Sequence, residues 1–389
     1  MTTDEVLTRG VDEIFPSKTE LENLLKSGKK LRVYQGFDPS SANLHIGHMI
    51  GLRKLRQWQD LGHEVIFLIG DFTGMIGDPT GREETRPVLS KETVENNAKT
   101  YKEQAGKILD FTGSNPVKIK FNSEWLGKLK TPEIVNLFSK ITYQQIIKRG
   151  MFKKRLENDG DISFGEVTYP ILQGYDSVAM DIDIEVGGRD QLFNMMIGRD
   201  LMHKMKRKNK FVITTQLLED NQGSKIGKTE GNAISFTDKP EQIYGAIMNF
   251  PDDTITKCLE CLTDVPSDKI KEAEKAISSG KNPLEFKKLL ASEVVKQLDG
   301  EKEAQNAQQN FENTVQKGQT PEDILEIKVE DNATVIDVVS TQVDSISEAK
   351  RLISQNAIEM DGQTITDPKT QIKSGQVIKI GKKKFVRIK

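Results

Sequence analysis

A chain of 389 residues with 29% charged and 36% hydrophobic side chains has the length for two or three domains and the composition of a folded protein, which excludes a disordered one. Two cysteines exclude a disulfide framework, no apolar run approaches a membrane span, and the start Met1-Thr-Thr-Asp-Glu argues against a secretory signal, so a cytoplasmic protein is expected. The net charge of −2 hides an asymmetry: residues 333–389 hold ten Lys and Arg against six Asp and Glu, +4, leaving −6 on the remainder. A basic tail on an acidic body suits a polyanionic partner.

In chain order, short runs rich in β-branched residues at 31–37, 65–70, 117–121, 182–186 and 211–215 are expected as strands. Helical patterns separate them at 47–60, 91–111, 164–180 and 190–204. This alternation predicts an α/β domain, a Rossmann-like parallel sheet covered on both faces. From 240 to 317 the pattern turns wholly helical, with helices at 240–250, 253–262 and 282–298. Residues 318–332 read as a linker. A compact α+β pattern follows, with a helix at 347–355, a strand at 357–360, a turn at Asp361-Gly362, and strands at 376–381 and 384–388. The domains are therefore expected as 1–235, 236–317 and 333–389.

Residues 34–51 read Tyr-Gln-Gly-Phe-Asp-Pro-Ser-Ser-Ala-Asn-Leu-His-Ile-Gly-His-Met-Ile-Gly. A strand that turns into a helix N-terminus is where α/β proteins bind phosphate, because unpaired N–H groups and the helix dipole point there. His45 and His48 fall on one helical face beside Gly47 and Gly51, and two positions without side chains make a flat shelf for a purine. Downstream, Gly223-Ser-Lys-Ile-Gly-Lys-Thr229 sets Lys225 and Lys228 three apart in a glycine-rich segment. Two ammonium groups on a movable loop suit a pyrophosphate that must be clamped and then released. Cys258 and Cys261 form a lone Cys-x-x-Cys, expected as two buried thiols on one helix face rather than a metal site.

The His-Ile-Gly-His tetrapeptide resembles the first signature of class I aminoacyl-tRNA synthetases, and the lysine segment resembles their mobile Lys-Met-Ser-Lys-Ser loop, with Ile226 in place of methionine. Three further segments, Ile76-Gly-Asp-Pro-Thr-Gly-Arg82 with Arg86, Tyr169-Pro-Ile-Leu-Gln-Gly-Tyr-Asp176 and Gly187-Gly-Arg-Asp-Gln191, sharpen the resemblance to tyrosyl-tRNA synthetases of bacterial type. Singly, each residue has a plainer reading: a packing histidine, a core tyrosine, a solvated lysine. Five matches in order carry the resemblance over 31–235.

The resemblance implies a tyrosine–tRNA ligase that uses ATP, with Mg2+, and holds no metal on protein ligands of its own. It places Tyr34 and Asp176 at the phenolic hydroxyl, and Asp78, Tyr169 and Gln173 around the substrate ammonium. Gln191 meets the reacting end of the amino acid, Asp38 the amine or the adenylate edge, and Asp190 the ribose. Gly36, Gly47 and Gly188 allow close approach of ATP, while Ser40, His45, His48, Lys225, Lys228, Arg82 and Arg86 meet the phosphate charge. Ser40 stands where the family usually has threonine, and the hydroxyl is kept. Arg189 replaces a small residue and either packs outward or touches ATP.

Residues 333–389 resemble the RNA-binding domain named after ribosomal small-subunit protein S-four. Lys350 and Arg351 on a helix and Lys382, Lys383 and Lys384 on a hairpin are its expected RNA contacts, and Gln355-Asn356-Ala357 stands where a glycine pair is usual. The resemblance further implies tRNA(Tyr) as partner, an anticodon-binding role for 236–317, a homodimer, and no membrane. Rival readings are a tryptophanyl-tRNA synthetase, a synthetase relic that binds RNA without catalysis, and a nucleotidyltransferase making another adenylate.

Overall fold

The computed structural model describes residues 2–80, 88–220, 222–223, 226, 228–229, 232–316, 325–329, 332–343, 345–381 and 384–389. The chain divides into two compact units, Met1–Ala304 and Gln305–Lys389. The boundary expected at 235/236 thus falls inside the first unit, and most of the expected linker lies outside the described residues.

The first unit is built on six strands: β1 (Val11–Phe15), β2 (Arg32–Phe37), β3 (Glu64–Ile69), β4 (Lys118–Phe121), β5 (Ile184–Gly188) and β6 (Phe211–Thr215). Their order is β1-β6-β5-β2-β3-β4, all parallel except the β1 edge. The five expected strands are present within two residues of their bounds. The sixth, β1, is Val-Asp-Glu-Ile-Phe, an edge strand with no continuous apolar run to announce it.

The order reverses between β2 and β5. From β2 the chain runs outward to β3 and β4; from β5 it runs the other way to β6. Such a switch point opens a crevice at the carboxyl ends of its strands. β2 delivers Asp38 and the His45 turn to it, and β5 delivers Gly188, Asp190 and Gln191.

Helices fix the crevice walls. The signature helix Ile46–Asp60 starts at His45 and buries Met49, Ile50, Leu52, Leu55 and Trp58. Phe164–Met180, capped by Ser163, packs along Leu192–Lys206. The two approach through Gly174 and Gly198: a Cβ on Gly174 would lie 3.0 Å from the Gly198 nitrogen. The helix expected over 91–111 is instead two, Lys91–Ala98 and Tyr101–Ala105. The polar side chains at the break turn to the crevice loop, Asn97 Nδ2 donating to the Pro39 carbonyl at 2.9 Å and Thr100 Oγ1 to that of Ala42 at 2.8 Å.

The helical segment holds Pro240–Met248, Ile255–Leu262, Ser267–Ser278 and Leu284–Asp299. It docks on the signature helix, where buried Arg53 pairs with Asp264 (2.6 Å) and Gln297. Cys258 and Cys261 are both buried, as expected, and burial raises both thiols to about 12.

In the second unit a sheet runs in the order Gln363–Thr364, Ile358–Met360, Val377–Ile380, Lys384–Ile388, Leu325–Ile327, the last pairing parallel. Helices Val335–Ser340 and Ile346–Ser354 bury valines and Ile353 against Ile358, Ile378 and Val386. Asp361 (φ 50°) and Gly362 (φ 81°) make the tight hairpin turn expected there. Asn356 (φ 57°) adopts the left-handed conformation where the resembled family has glycine; asparagine tolerates it better than other side chains.

Candidate active site

Each part of the crevice follows from a local rule. His45 has extended backbone and caps the signature helix: its Nδ1 accepts the Gly47 N–H at 3.1 Å, and His48 Nδ1 accepts the His45 N–H at 3.1 Å. Each ring therefore keeps its proton on Nε2 when neutral. Ser40, Gly47 and both histidines line one cavity of ≈ 340 Å³.

The expected bare shelf of Gly47 and Gly51 is corrected. A Cβ on Gly51 would run into the Gln35 carboxamide, and one on Gly47 would lie 3.0 Å from His45 Cε1. The space the glycines leave is filled by this chain's own side chains, and Gln35 Oε1 is buried there without a hydrogen-bond partner among the described residues.

At the far end of the same cavity lie Tyr34 and Asp176, both buried. Tyr34 Oη is 2.9 Å from Ser177 Oγ. Asp176 accepts from Trp125 Nε1 at 2.8 Å and from Asn122 Nδ2 at 3.3 Å. Burial raises its pKa well above the usual carboxyl range despite these two donors. Burial likewise raises the Tyr34 hydroxyl.

Between the two ends sits a polar floor. Tyr169 Oη donates to Asp38 Oδ2 at 2.7 Å, and Thr73 Oγ1 donates to Asp38 Oδ1 at 2.7 Å. Asn122 Nδ2 reaches Thr73 Oγ1 at 2.9 Å, so a continuous polar chain joins Asp176 to Asp38. Gln191 Nε2 donates to Asp78 Oδ2 at 2.6 Å, and Asn194 Nδ2 to Gln173 Oε1 at 2.9 Å. Tyr169 and Gln173 thus use their donors or accept within the floor, and they retain lone pairs for a cation. A Cβ on Gly188 would lie 2.6 Å from Asp190 Oδ1, which is why glycine stands there.

Most of the expected site residues therefore converge: Gly36, Asp38, Asp78, Tyr169, Gln173, Gly188, Asp190 and Gln191 line the cavity with the residues already named. Ile226 of the lysine segment lines it too, its N–H on the Leu218 carbonyl at 2.8 Å. Lys225, Arg82 and Arg86 lie outside the described residues, as does the Lys228 side chain. Arg189 packs outward, paired with Asp12 at 3.0 Å.

Asn122, Trp125, Arg149, Ser177 and Asn194 were not anticipated. Arg149 donates to Thr80 Oγ1 at 2.6 Å and Asn194 Oδ1 at 3.2 Å, bracing the Asp78 loop. Asn122 had a readable signal, a polar residue immediately after a strand on the ligand side of the sheet; Trp125 and Arg149 had none. On the second unit, Lys350 and Arg351 are exposed, Arg351 pairs with Glu348 at 3.3 Å, and Lys384 Nζ donates to the Gln342 carbonyl at 2.6 Å. Lys382 and Lys383 lie outside the described residues.

A parallel sheet with a switch point, a histidine-capped helix and Ile226 at the cavity edge have counterparts among known proteins. Residues 26–316 match the family of class I tRNA synthetases for tryptophan and tyrosine, and 338–378 match the S4 domain. The tyrosine–tRNA ligase of Dehalococcoides mccartyi is 42% identical over 388 residues, 98% of this chain and 97% of that protein. That of Thermotoga maritima is 41% identical over 390 residues, 99% and 96%. The C-terminally truncated mitochondrial tyrosyl-tRNA synthetase of Aspergillus nidulans shares the fold, with a TM-score of 0.67 at 23% identity over 79% of this chain and 92% of that one. The chain belongs to the tyrosine–tRNA ligase family of class I synthetases and carries an S4 RNA-binding domain. Among the described residues no helix is long and apolar enough to cross a membrane.

Proposed function

We propose that the protein activates L-tyrosine with Mg-ATP and transfers it to the 3′-terminal adenosine of tRNA(Tyr). The observation that carries this reading is the single cavity whose far end holds Tyr34 and Asp176 and whose mouth holds Ser40, His45 and His48. A phenol fits a hydroxyl and a carboxylate that would both lose partners if phenylalanine entered. Asp78, Tyr169 and Gln173 supply one negative charge and neutral acceptors for the ammonium.

The tyrosine carboxylate is ionised at neutral pH, so the first step needs no general base. Its oxygen bonds to the α-phosphorus as the α–β bridging bond breaks, giving tyrosyl-adenylate and pyrophosphate. The charge that builds on the leaving group is met by donors from Ser40 and His45, and by Lys225, Lys228, Arg82 and Arg86. Asp190 takes the ribose, with Gly36, Gly47 and Gly188 giving room and Gln191 at the new ester. A ribose hydroxyl of the tRNA then attacks the adenylate carbonyl and expels AMP.

The same reading gives 236–317 the anticodon stem and Lys350, Arg351 and Lys382 to Lys384 the RNA backbone. It includes a homodimer, a reading supported by the exposed apolar side chains Val135, Tyr143, Leu156 and Phe164. Pyrophosphate exchange with each of the twenty amino acids tests it: tyrosine alone is expected to support exchange. Exchange driven by tryptophan, or by no amino acid, overturns it.

A further inference from the structure

Beside Tyr34 lies a charged cluster with no part in the reaction as derived, of which Glu185 reaches the cavity wall. Lys210 is wholly buried. Its ammonium has three neighbours: the Met195 carbonyl at 3.0 Å, Ser177 Oγ at 2.9 Å, and Glu185 Oε2 in close contact. The space for it is kept open by Gly198, where a Cβ would lie 2.6 Å from Lys210 Nζ.

The count of protons and the distances together favour one direction for the bonds in this cluster. An ammonium has three protons and accepts nothing, and here three acceptors surround it, so Ser177 Oγ receives one from Lys210. The single proton of Ser177 then has two destinations, Tyr34 Oη at 2.9 Å or Glu185 Oε2 at 3.4 Å. The shorter separation, 2.9 Å against 3.4 Å, favours Tyr34 as the acceptor. Tyr34 Oη, having accepted from Ser177, has its own proton for the cavity that it lines, with Glu185 as the competing acceptor. Across the cavity end, Asp176 is fixed as an acceptor by the N–H groups of Trp125 and Asn122.

We propose that Lys210, Glu185 and Ser177 form a directional relay that makes Tyr34 a hydrogen-bond donor to the bound amino acid and so sets the preference for tyrosine over phenylalanine. Protons run one way along it, from Lys210 to Ser177 to Tyr34 to the substrate phenol to Asp176. The phenol accepts at one side and donates at the other, which no phenylalanine does. Ser177 and Lys210 do not line the cavity, while Glu185 does; in the relay all three are positioning residues acting through Tyr34. This inference rests on the tyrosine-activating function proposed above.

The test measures kcat/KM for tyrosine and for phenylalanine in pyrophosphate exchange, with the full chain. Ser177→Ala leaves the Lys210–Glu185 pair intact and frees Tyr34 to point either way. The tyrosine value is expected to fall roughly tenfold, about the worth of one hydrogen bond, with the phenylalanine value unchanged. In a Tyr34→Phe background the same substitution is expected to leave the tyrosine-to-phenylalanine ratio where it was, because the relay has lost its output. Ser177→Cys, nearly the same volume with a weak donor, reads the same ratio if the alanine variant does not fold. An unchanged ratio, an equal loss for both amino acids, or an effect that persists without the Tyr34 hydroxyl overturns the relay while the function stands. A parent protein that activates no tyrosine overturns the function and takes the relay with it.

Discussion

The imidazoles of His45 and His48 stack with their centroids 3.8 Å apart, and each spends its Nδ1 on a backbone N–H of the turn that begins the signature helix. One pair of rings thus does two jobs. It satisfies orphan donors at the helix start, as Ser or Asn would elsewhere, and it sets both rings, Nε2 protonated, on the cavity wall.

The two jobs separate by substitution. His45→Ala removes both and is expected to lower stability by about 1 kcal/mol while slowing adenylate formation. His45→Asn replaces the cap with one of the best N-cap residues, so thermal stability recovers. Its side chain is shorter and offers no Nε2–H, so the rate of pyrophosphate exchange stays low. Denaturation and exchange measured on both variants check this; recovery of the rate by asparagine would reduce His45 to a cap.

Asp176 poses the opposite balance, a group useful for binding and costly for folding. Burial raises its folded pKa well above the ordinary carboxyl value of 3.8, so below that value both folded and unfolded chains hold the proton and nothing is lost. As pH rises through the raised folded pKa the native state must carry a buried charge, and stability is lost. Asp176→Asn removes that loss. The variant is expected to be more stable than the parent at pH 8, with the gain shrinking toward pH 4, and to have lost most of its tyrosine kcat/KM. Melting curves across pH together with exchange assays check both halves.

Much of this arrangement was legible because its parts are periodic or clustered. The five parallel strands are continuous β-branched runs, and Tyr34, Asp78, Tyr169 and Asp176 sit in segments long enough to resemble a family. What escaped was set by tertiary contact. Ser177 acquires a role only because Gly198 lets a helix pass closely enough for Lys210 to reach it, and nothing in the Ile171–Met180 pattern encodes that approach. Trp125 meets Asp176 across 51 residues of chain. The shelf at Gly51 failed for a related reason: helical spacing shows that two glycines share a face, and it cannot show that Gln35, from the neighbouring strand, already lies against it.

Lys54, on the same signature helix as the histidines, is buried, and its ammonium donates to the carbonyls of Val6 at 2.8 Å and Arg9 at 2.7 Å. Burial, with Arg53 and Arg9 nearby, lowers its pKa to about 7, against about 10.4 for a free lysine. Between those values the unfolded chain binds the proton and the native chain does not, so stability rises with pH across the window. Lys54→Met is expected to flatten that slope between pH 7 and 10. The slope is the readout, because methionine also orphans two carbonyls at every pH. An equally steep rise in the variant would show that another group sets it.

Cys258 and Cys261 lie on the buried face of Ile255–Leu262, and both are raised to about 12, burial being the largest cause. The thiolate is the nucleophile in alkylation, and at pH 8 a thiol with that value is almost wholly protonated as well as shielded from reagent. Iodoacetamide at pH 8 is therefore expected to leave both unmodified in the folded protein and to modify both in urea, with mass spectrometry as the readout. Because the pair packs within the helical segment that Arg53 ties to the signature helix, Cys261→Ala should lower the melting temperature. It should leave the KM for tyrosine unchanged, since neither sulfur lines the cavity. A rise in that KM would mean that packing within the helical segment is transmitted to the tyrosine end of the crevice.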